Sequence, residues 1–337
     1  MTPPEPVEVL MIGCGAFAHR YHVPALRADP AVRVAVIFDP RPSDATRALA
    51  ASAGVPLVAS LEALPPMRGR GFALVTTPHT MHAAHVDAAL DRGWDVLVDK
   101  PCVMHVADAT RLAQRADAAG AVNGVAYNRR FDAGCLRARE IIASGALGPV
   151  RFVQTVQLGY ERAGWFLDPA LGGGGPYTGR ASHMADLVPW LLGRWPTRLR
   201  SRVRTSEPSR SDHGGFIELQ FDRLECQMTC VEEGWHMWDE VRVFGEDGLI
   251  ELRRPLTAPI GWSLAWHHSR EGAVETLAAD SAPGGATRDF LYAVRTRGRP
   301  ACRFADAVPS VEIVEQAFES ARRDGLWIEL TARPGAC

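Results

Sequence analysis

The sequence predicts an α/β chain: an N-terminal Rossmann domain with a doubly wound parallel sheet, then an α+β domain built on a large, open, mostly antiparallel sheet. Three observations predict this. Over the first 130 residues, short runs of Val, Ile and Leu alternate with amphipathic stretches, the rhythm of repeated βαβ units. Those runs show little period-two alternation, as strands covered on both faces do. Beyond the break at Gly145 to Pro149 the strands lengthen and alternate, as strands with one solvated face do. A chain of 337 residues also exceeds what one hydrophobic core usually organises, so two domains are expected, 1–130 and 131–337, with the C-terminal helix a candidate to pack back on the first.

In order, VEVLMI is the first strand and a helix follows Ala16; VRVAVIF precedes a helix from Ser43; FALVTT precedes a helix from Met81; DVLVD precedes a helix from Val106. A helix is expected around Cys135 to Ser144. The strands VRFVQTVQLGY, GGFIELQF, ECQMTCVEE and EVRVFG belong to the second domain, with a helix from about Arg180 to Leu192 between the first two. Glu207 to Gly215 and Pro283 to Gly285 read as surface loops. Helices over Thr287 to Thr296 and Ala305 to Arg323 precede a closing strand, LWIEL.

A formal net charge of -2 with no run of like charges leaves no electrostatic footprint for nucleic acid or an anionic membrane, and favours a small-molecule partner. No apolar stretch approaches the roughly 18 residues of a membrane span, and the first residues lack the pattern of a secretory leader, so a cytoplasmic protein is expected. The seven cysteines are odd in number, scattered and never in a CxxC pair, which fits reduced, buried thiols better than disulfides or zinc. Lys100 is the one lysine beside 36 arginines, a bias that reads as a GC-rich genome. Arginine serves most charged roles but does not give up its proton near neutral pH, so the lone lysine marks a place that needs an amine.

Gly13-Cys14-Gly15-Ala16-Phe17-Ala18 is a GxGxxA between a strand and a helix. Gly13 suits the tight turn, Gly15 admits a pyrophosphate close to the backbone, and Ala18 lets helix and strand pack; the helix N-terminus then favours the phosphates. Asp39 ends the second strand about twenty residues on, where a carboxylate accepts the ribose hydroxyls of NAD. Arg41 lies two residues further and keeps NADP open as the alternative, and a turn residue before Pro40 remains the plainer reading of Asp39. Thr77-Pro78 with His82, and Asp99-Lys100-Pro101, leave two further strands at the carboxyl edge of the sheet, where cofactor and substrate meet.

Taken together, GxGxxA, TTPHTMHAAHVDAALDRGWDVLVDKP, YNRRF and GGGGPYTGRASHMADLVPWLLG resemble, in order and spacing, the family of glucose-fructose oxidoreductase and inositol dehydrogenase, Gfo/Idh/MocA. The usual Glu-Lys-Pro is Asp99-Lys100-Pro101 here. The resemblance implies that Lys100 binds and polarises the reacting oxygen, that His183 exchanges a proton with it, and that the glycines hold the dinucleotide. It extends the cofactor set to Asn128 and the substrate set to Tyr127, Arg129, Tyr160, Trp165, Tyr177 and Arg180, beside Lys100 and His183. It also implies a homo-oligomer, a dimer or tetramer. The family commonly has an aspartate one helical turn before the histidine, and this chain has Gly179; Arg180, Tyr177 and Asp186 are the candidates to compensate.

Read from helical position alone, His183 is more readily a satisfied buried histidine; Gly172 to Gly175 just before it tilt the balance by allowing close backbone approach to a ligand. His79, His82 and His85 lack a converging carboxylate, so no metal is expected. Glu232, Glu233, Asp239 and Glu240 lie near Trp235 and Trp238, which motivates an aminated sugar as substrate, with charged strand ends as the simpler account. The implied reaction is reversible hydride transfer between NAD and a carbinol or ketone carbon of a sugar, cyclitol or amino-sugar conjugate, in an antibiotic-sugar setting. NAD-dependent glycoside hydrolysis by oxidation and elimination, and a dinucleotide-binding sensor without turnover, are the competing classes. Steady NADH production, or sugar release without net NADH, separates the two enzymes.

Overall fold

The structure, a computed structural model, describes residues 6–159, 164–205, 212–232, 234, 236–254, 261–270, 272–279 and 283–333. In chain order the first part supplies β1 (Val7–Ile12), a helix over residues 16–27 that passes through a π-helical turn, Ala18–His22, into α1 (Val23–Arg27), β2 (Val32–Phe38), α2 (Asp44–Ala53), β3 (Leu57–Val58), β4 (Gly71–Val75), α3 (His82–Leu90), β5 (Asp95–Asp99), α4 (Val106–Ala118) and β6 (Asn123–Ala126). Then follow α5 (Ala133–Ala143), β7 (Val150–Leu158), α6 (Pro169–Gly172), α7 (Pro176–Leu192), β8 (Arg198–Thr205), β9 (Asp212–Phe221), β10 (Leu224–Val231), β11 (Trp238–Gly245), β12 (Gly248–Arg254), β13 (Ser263–His268), β14 (Gly272–Leu277), α8 (Gly285–Thr296), α9 (Phe304–Arg322) and β15 (Ile328–Glu329).

Contacts divide the chain into Met1–Tyr127 with Pro283–Ala307, and Asn128–Ala282 with Val308–Cys337. The sequence reading ended its first domain at residue 130 and offered the C-terminal helix as the part that returns to it; the part that returns is residues 283–307 with α8, while α9 beyond Ala307 belongs to the second unit. Side chains account for the return: Phe290 meets Phe72 edge to face at 5.2 Å, and Gly124 has no side chain where a Cβ would lie 2.8 Å from the Phe290 ring. The Val125 N–H donates to the Cys302 carbonyl at 2.9 Å, so β6 is covered on its outer edge.

The first unit's sheet is six-stranded and parallel, in the order β3-β2-β1-β4-β5-β6. The order reverses between β1 and β4, the switch point at whose carboxyl edge doubly wound sheets bind nucleotides. Strands β1, β4 and β5 are almost wholly buried, which explains their largely apolar runs. α2 is capped by Ser43, whose hydroxyl accepts the Thr46 N–H, as the sequence indicates.

The second unit's sheet is nine-stranded, β14-β13-β12-β11-β7-β10-β9-β8-β15, antiparallel except where β10 runs parallel to β7. One face packs its alternating residues, such as Ile217, Leu219, Cys226, Met228, Val241 and Val243, against α5 and α7. Two expectations change here. β9 starts at Asp212, so part of the expected 207–215 loop is strand, and residues 206–211 lie outside the described residues. α7 starts at Pro176 rather than near Arg180, with proline at its first position where the missing N–H costs nothing. Among the described residues no helix is long and apolar enough to cross a membrane.

Candidate functional site

In the first unit, β1 ends in a turn that Gly13 makes at φ +82°, a left-handed conformation that L side chains rarely adopt. A Cβ there would lie 2.7 Å from Thr77 Cγ2 and 3.0 Å from the Thr76 backbone, so β4's exit packs directly on the turn. The turn's carbonyls are tied down: the Thr76 hydroxyl donates to Gly13 O at 2.8 Å, and the Thr46 hydroxyl to Cys14 O at 2.7 Å. Gly15 differs, because a Cβ there would meet nothing within 4 Å. Gly15 and Ala16 are exposed, Phe17 is half-buried against Tyr21, and Ala18 is fully buried where the helix closes on the sheet. An open approach to backbone at the first N–H groups of a helix suits a pyrophosphate.

Asp39 follows β2 and is half-buried; its carboxylate accepts the Cys14 N–H at 3.3 Å and the Arg41 N–H at 3.0 Å. It therefore serves the turn, as the plainer reading had it, and still offers acceptor positions, since a carboxylate has about four. The Arg41 side chain is exposed. At the ends of β4 and β5, Thr77, Pro78, Asp99 and Lys100 are all half-buried. Asp99 Oδ1 accepts the Lys100 N–H at 2.9 Å, and the Lys100-Pro101 peptide is cis. Burial pushes the Asp99 carboxyl up to about 6, against the charge of Lys100 and the hydrogen bond from its N–H.

His82 is buried, with Nδ1 2.8 Å from Pro101 O and Nε2 2.9 Å from Thr77 O. Its ring thus braces the two strand exits rather than facing a ligand. His85 Nδ1 lies 2.8 Å from the Thr77 hydroxyl, and burial brings that imidazole down to about 4. Among the described residues no cluster of three or more His, Cys, Asp or Glu is arranged to hold a metal ion. Asn128, just past β6, is half-buried, and its side-chain amide has no hydrogen-bond partner among the described residues at either end. Tyr127 is 2% exposed, a core ring rather than a surface for substrate.

In the second unit, α7 carries Tyr177, Arg180, His183 and Asp186. His183 is half-buried. Tyr177 is buried against Phe318, with no hydrogen-bond partner for its hydroxyl among the described residues. Arg180 is buried beside Glu232, with Asp239 at 4.0 Å, and the missing side chain of Gly159 makes room, since a Cβ there would lie 2.1 Å from the guanidinium. Arg129 pairs with Asp239 at 3.0 Å and lies over the Trp262 ring. Burial would raise the Asp239 carboxyl, but Arg129, Arg254 and Arg180, with a hydrogen bond from Gln157, hold it below the usual carboxylate range.

Three of the four acids that motivated an aminated substrate are therefore occupied. Glu232 and Asp239 balance buried arginines, and Glu240 accepts from Trp238 Nε1 and faces Arg242. Structural pairing accounts for these three, because a carboxylate whose charge a guanidinium already balances has little to offer an ammonium. Asp186, a candidate for the missing aspartate's role, is bound by Arg130 through two hydrogen bonds. Trp165 is half-buried and stacks on Phe166 at 3.8 Å. Tyr160, Glu233 and Trp235 lie outside the described residues.

The glycines before α7 also have a different neighbour from the one expected. A Cβ on Gly174 would lie 2.4 Å from Thr178 Oγ1, and one on Gly175 2.7 Å from Asp212 Oδ1. Sequence reasoning passed over Asp212 because it sits in a Ser, Pro and Gly-rich stretch that resembles any exposed loop.

Comparison with known proteins gives a consistent set. Residues 7–127 match the model of the oxidoreductase family with an NAD-binding Rossmann fold, and residues 135–251 match the GFO/IDH/MocA C-terminal domain. A 1-carboxy-3-chloro-3,4-dihydroxycyclo hexa-1,5-diene dehydrogenase of Comamonas testosteroni is 31% identical over 176 residues, 48% of this chain and only 44% of that relative. The dTDP-3,4-didehydro-2,6-dideoxy-alpha-D-glucose 3-reductase of Streptomyces antibioticus is 28% identical over 93% of this chain and 96% of its own. GenD2 from gentamicin A biosynthesis, solved in complex with NAD, shares the fold with a TM-score of 0.84 at 24% identity, over 97% of each chain.

Proposed function

Because the chain belongs to the GFO/IDH/MocA oxidoreductase family, we propose that it transfers a hydride between NAD and a carbinol or ketone carbon of a sugar, cyclitol or sugar conjugate. The observation that carries this reading is the carboxyl edge of the six-stranded sheet. There the Gly13 to Gly15 turn and Thr77 flank the switch point between β1 and β4, and Lys100 leaves the next strand, β5. The residues fit a dinucleotide: Gly15 leaves its approach open, and Asp39 has acceptor capacity for a ribose. When bound, NAD supplies the hydride acceptor or donor.

Lys100 places a cation at the oxygen of the reacting carbon, stabilising the negative charge that develops there. His183 takes the hydroxyl proton in oxidation and returns it in reduction. Asp99 fixes the backbone from which Lys100 projects. The Streptomyces antibioticus relative is named for reducing a dTDP-sugar, which supports an antibiotic-sugar setting. The six cysteines among the described residues are free and buried, which supports a reducing, cytoplasmic location. A homo-oligomer is part of the same reading, and a monomeric mass by light scattering at micromolar protein would remove that part.

The deciding experiment is turnover of Lys100→Met with NAD across a panel of sugars, cyclitols and nucleotide-linked sugars. Methionine keeps much of the volume and removes the charge. One lost charge-stabilising donor typically costs about 3 to 4 kcal/mol, or roughly 10² to 10³ in kcat. NAD affinity, by calorimetry, should stay within about twofold of wild type, since the loss concerns the reacting oxygen alone. Near wild-type turnover of Lys100→Met on an authentic substrate overturns the mechanism.

A further inference from the structure

α7 has no capping side chain of its own: its N-cap is Gly175 and its first residue Pro176. The cap comes from a strand. Asp212, the first residue of β9 and fully buried, accepts the Tyr177 N–H at 2.5 Å, the Thr178 N–H at 3.1 Å and the Thr178 hydroxyl at 2.7 Å on one carboxylate. Its own N–H donates to the Gly174 carbonyl at 3.0 Å. The backbone before the helix fits against this carboxylate only with glycine, as the close approaches at Gly174 and Gly175 show.

We propose that Asp212 is a positioning residue for the reaction: acting through Tyr177 and Thr178, its carboxylate fixes where α7 begins and so the orientation of His183 further along the same helix. This rests on the reading of His183 given above. A buried carboxylate is costly to keep, and a cap of ordinary serine or asparagine would satisfy a helix without that cost. What the carboxylate adds is acceptor capacity for three donors at once.

Its ionisation then sets a pH window. Burial drives the Asp212 carboxyl up to about 6, opposed by the hydrogen bonds of Thr178 and Tyr177 and by the charge of His213. The ionisable groups facing it are His213 in β9, Cys230 in β10 and Tyr177 in α7. A native value above the unfolded one means that the folded chain holds the proton between about 4 and 6, so this group's contribution to stability falls as pH rises through that window. The cap behaves in the opposite sense. As pH falls through about 6 the carboxyl takes up its proton and gives up acceptor capacity, and α7's first turn loses part of its anchor.

The test compares wild type, Asp212→Asn, Thr178→Val and His183→Asn in kcat against pH, NAD affinity, and the NMR titration of the Tyr177 and Thr178 amides. In wild type, kcat should fall on the acid side with a midpoint near 6, and both amide signals should move with the same midpoint. Thr178→Val removes one donor that favours the charged form, so both midpoints should shift upward. Asp212→Asn should abolish the amide titration and lower kcat by about tenfold to a hundredfold, the scale of a slightly misplaced catalytic group, with NAD affinity unchanged. Wild-type kcat in Asp212→Asn, or an acid limb and amide midpoints unmoved in Thr178→Val, overturns the inference; Thr178→Val decides alone should Asp212→Asn not fold. A fully active His183→Asn, with amides that still titrate, would instead remove the role proposed for His183 while leaving the clasp in place.

Discussion

Replacing Asp186 by asparagine separates a structural role from a catalytic one. The Arg130 and Asp186 side chains are 6% and 1% exposed, joined by a 2.9 Å bond from Nε to Oδ2 and a second bond to Oδ1. Asp186→Asn keeps the shape and one acceptor oxygen but leaves a guanidinium buried without its counter-charge, next to Trp190 at 6.0 Å. Removing one partner of a buried pair typically costs about 3 to 5 kcal/mol, and the retained oxygen argues for about 3. For a unit of this size each kcal/mol moves Tm by about 2 to 4 °C, so calorimetry should show a loss of about 6 to 12 °C. The double variant Arg130→Met with Asp186→Leu should recover most of that loss, because an apolar pair of similar volume leaves no charge to desolvate. A Tm change below about 2 °C together with a turnover loss of about a hundredfold would refute this reasoning and make Asp186 the group that replaces the family aspartate.

The two turn glycines should fail differently. Gly13→Ala forces a side chain into a left-handed conformation 2.7 Å from Thr77 Cγ2 and should lower Tm as well as NAD affinity, whereas Gly15→Ala meets nothing in the fold and should leave Tm alone while weakening NAD by about tenfold or more. An unchanged NAD affinity in Gly15→Ala, by calorimetric titration, would remove its role in the pyrophosphate approach. NAD should bind more tightly than NADP because Asp39 faces the extra phosphate with like charge. A preference for NADP that Arg41→Ala abolishes would reassign the discrimination to Arg41.

How far the sequence could be read depended on whether a feature has a local signature. β1, β4 and β5 were legible because buried parallel strands are mostly apolar, and β2 because it keeps a Val and Ile run into its buried end. The Gly13 turn was legible because its conformation excludes other residues. β8 was not singled out: RLRSRVRT buries Leu199 and Ser201 but carries arginine at every other place, so charge hides the alternation. Arg129, Arg180, Glu232 and Asp239 read as residues that meet a substrate, and they are buried in pairs because each has a partner far away in sequence. Asp212 is the sharpest case, since an aspartate beside glycines reads as a loop until the helix it caps, 35 residues earlier, is known.

The return of residues 283–307 to the first unit has a consequence for how the chain comes into being. A ribosome delivers all of β1 to β6 long before it delivers α8, yet Phe72 and Gly124 wait for Phe290, the β6 edge for Cys302, Asp95 for Arg297, and the buried His22 for Thr287. The nascent nucleotide-binding half must therefore persist with an uncovered strand edge and apolar surface through the synthesis of the whole second sheet. Such contacts between distant residues slow folding and expose the chain to misassociation. Expression trials that stop the chain after the first six strands should yield an aggregating fragment rather than a miniature dinucleotide-binding protein.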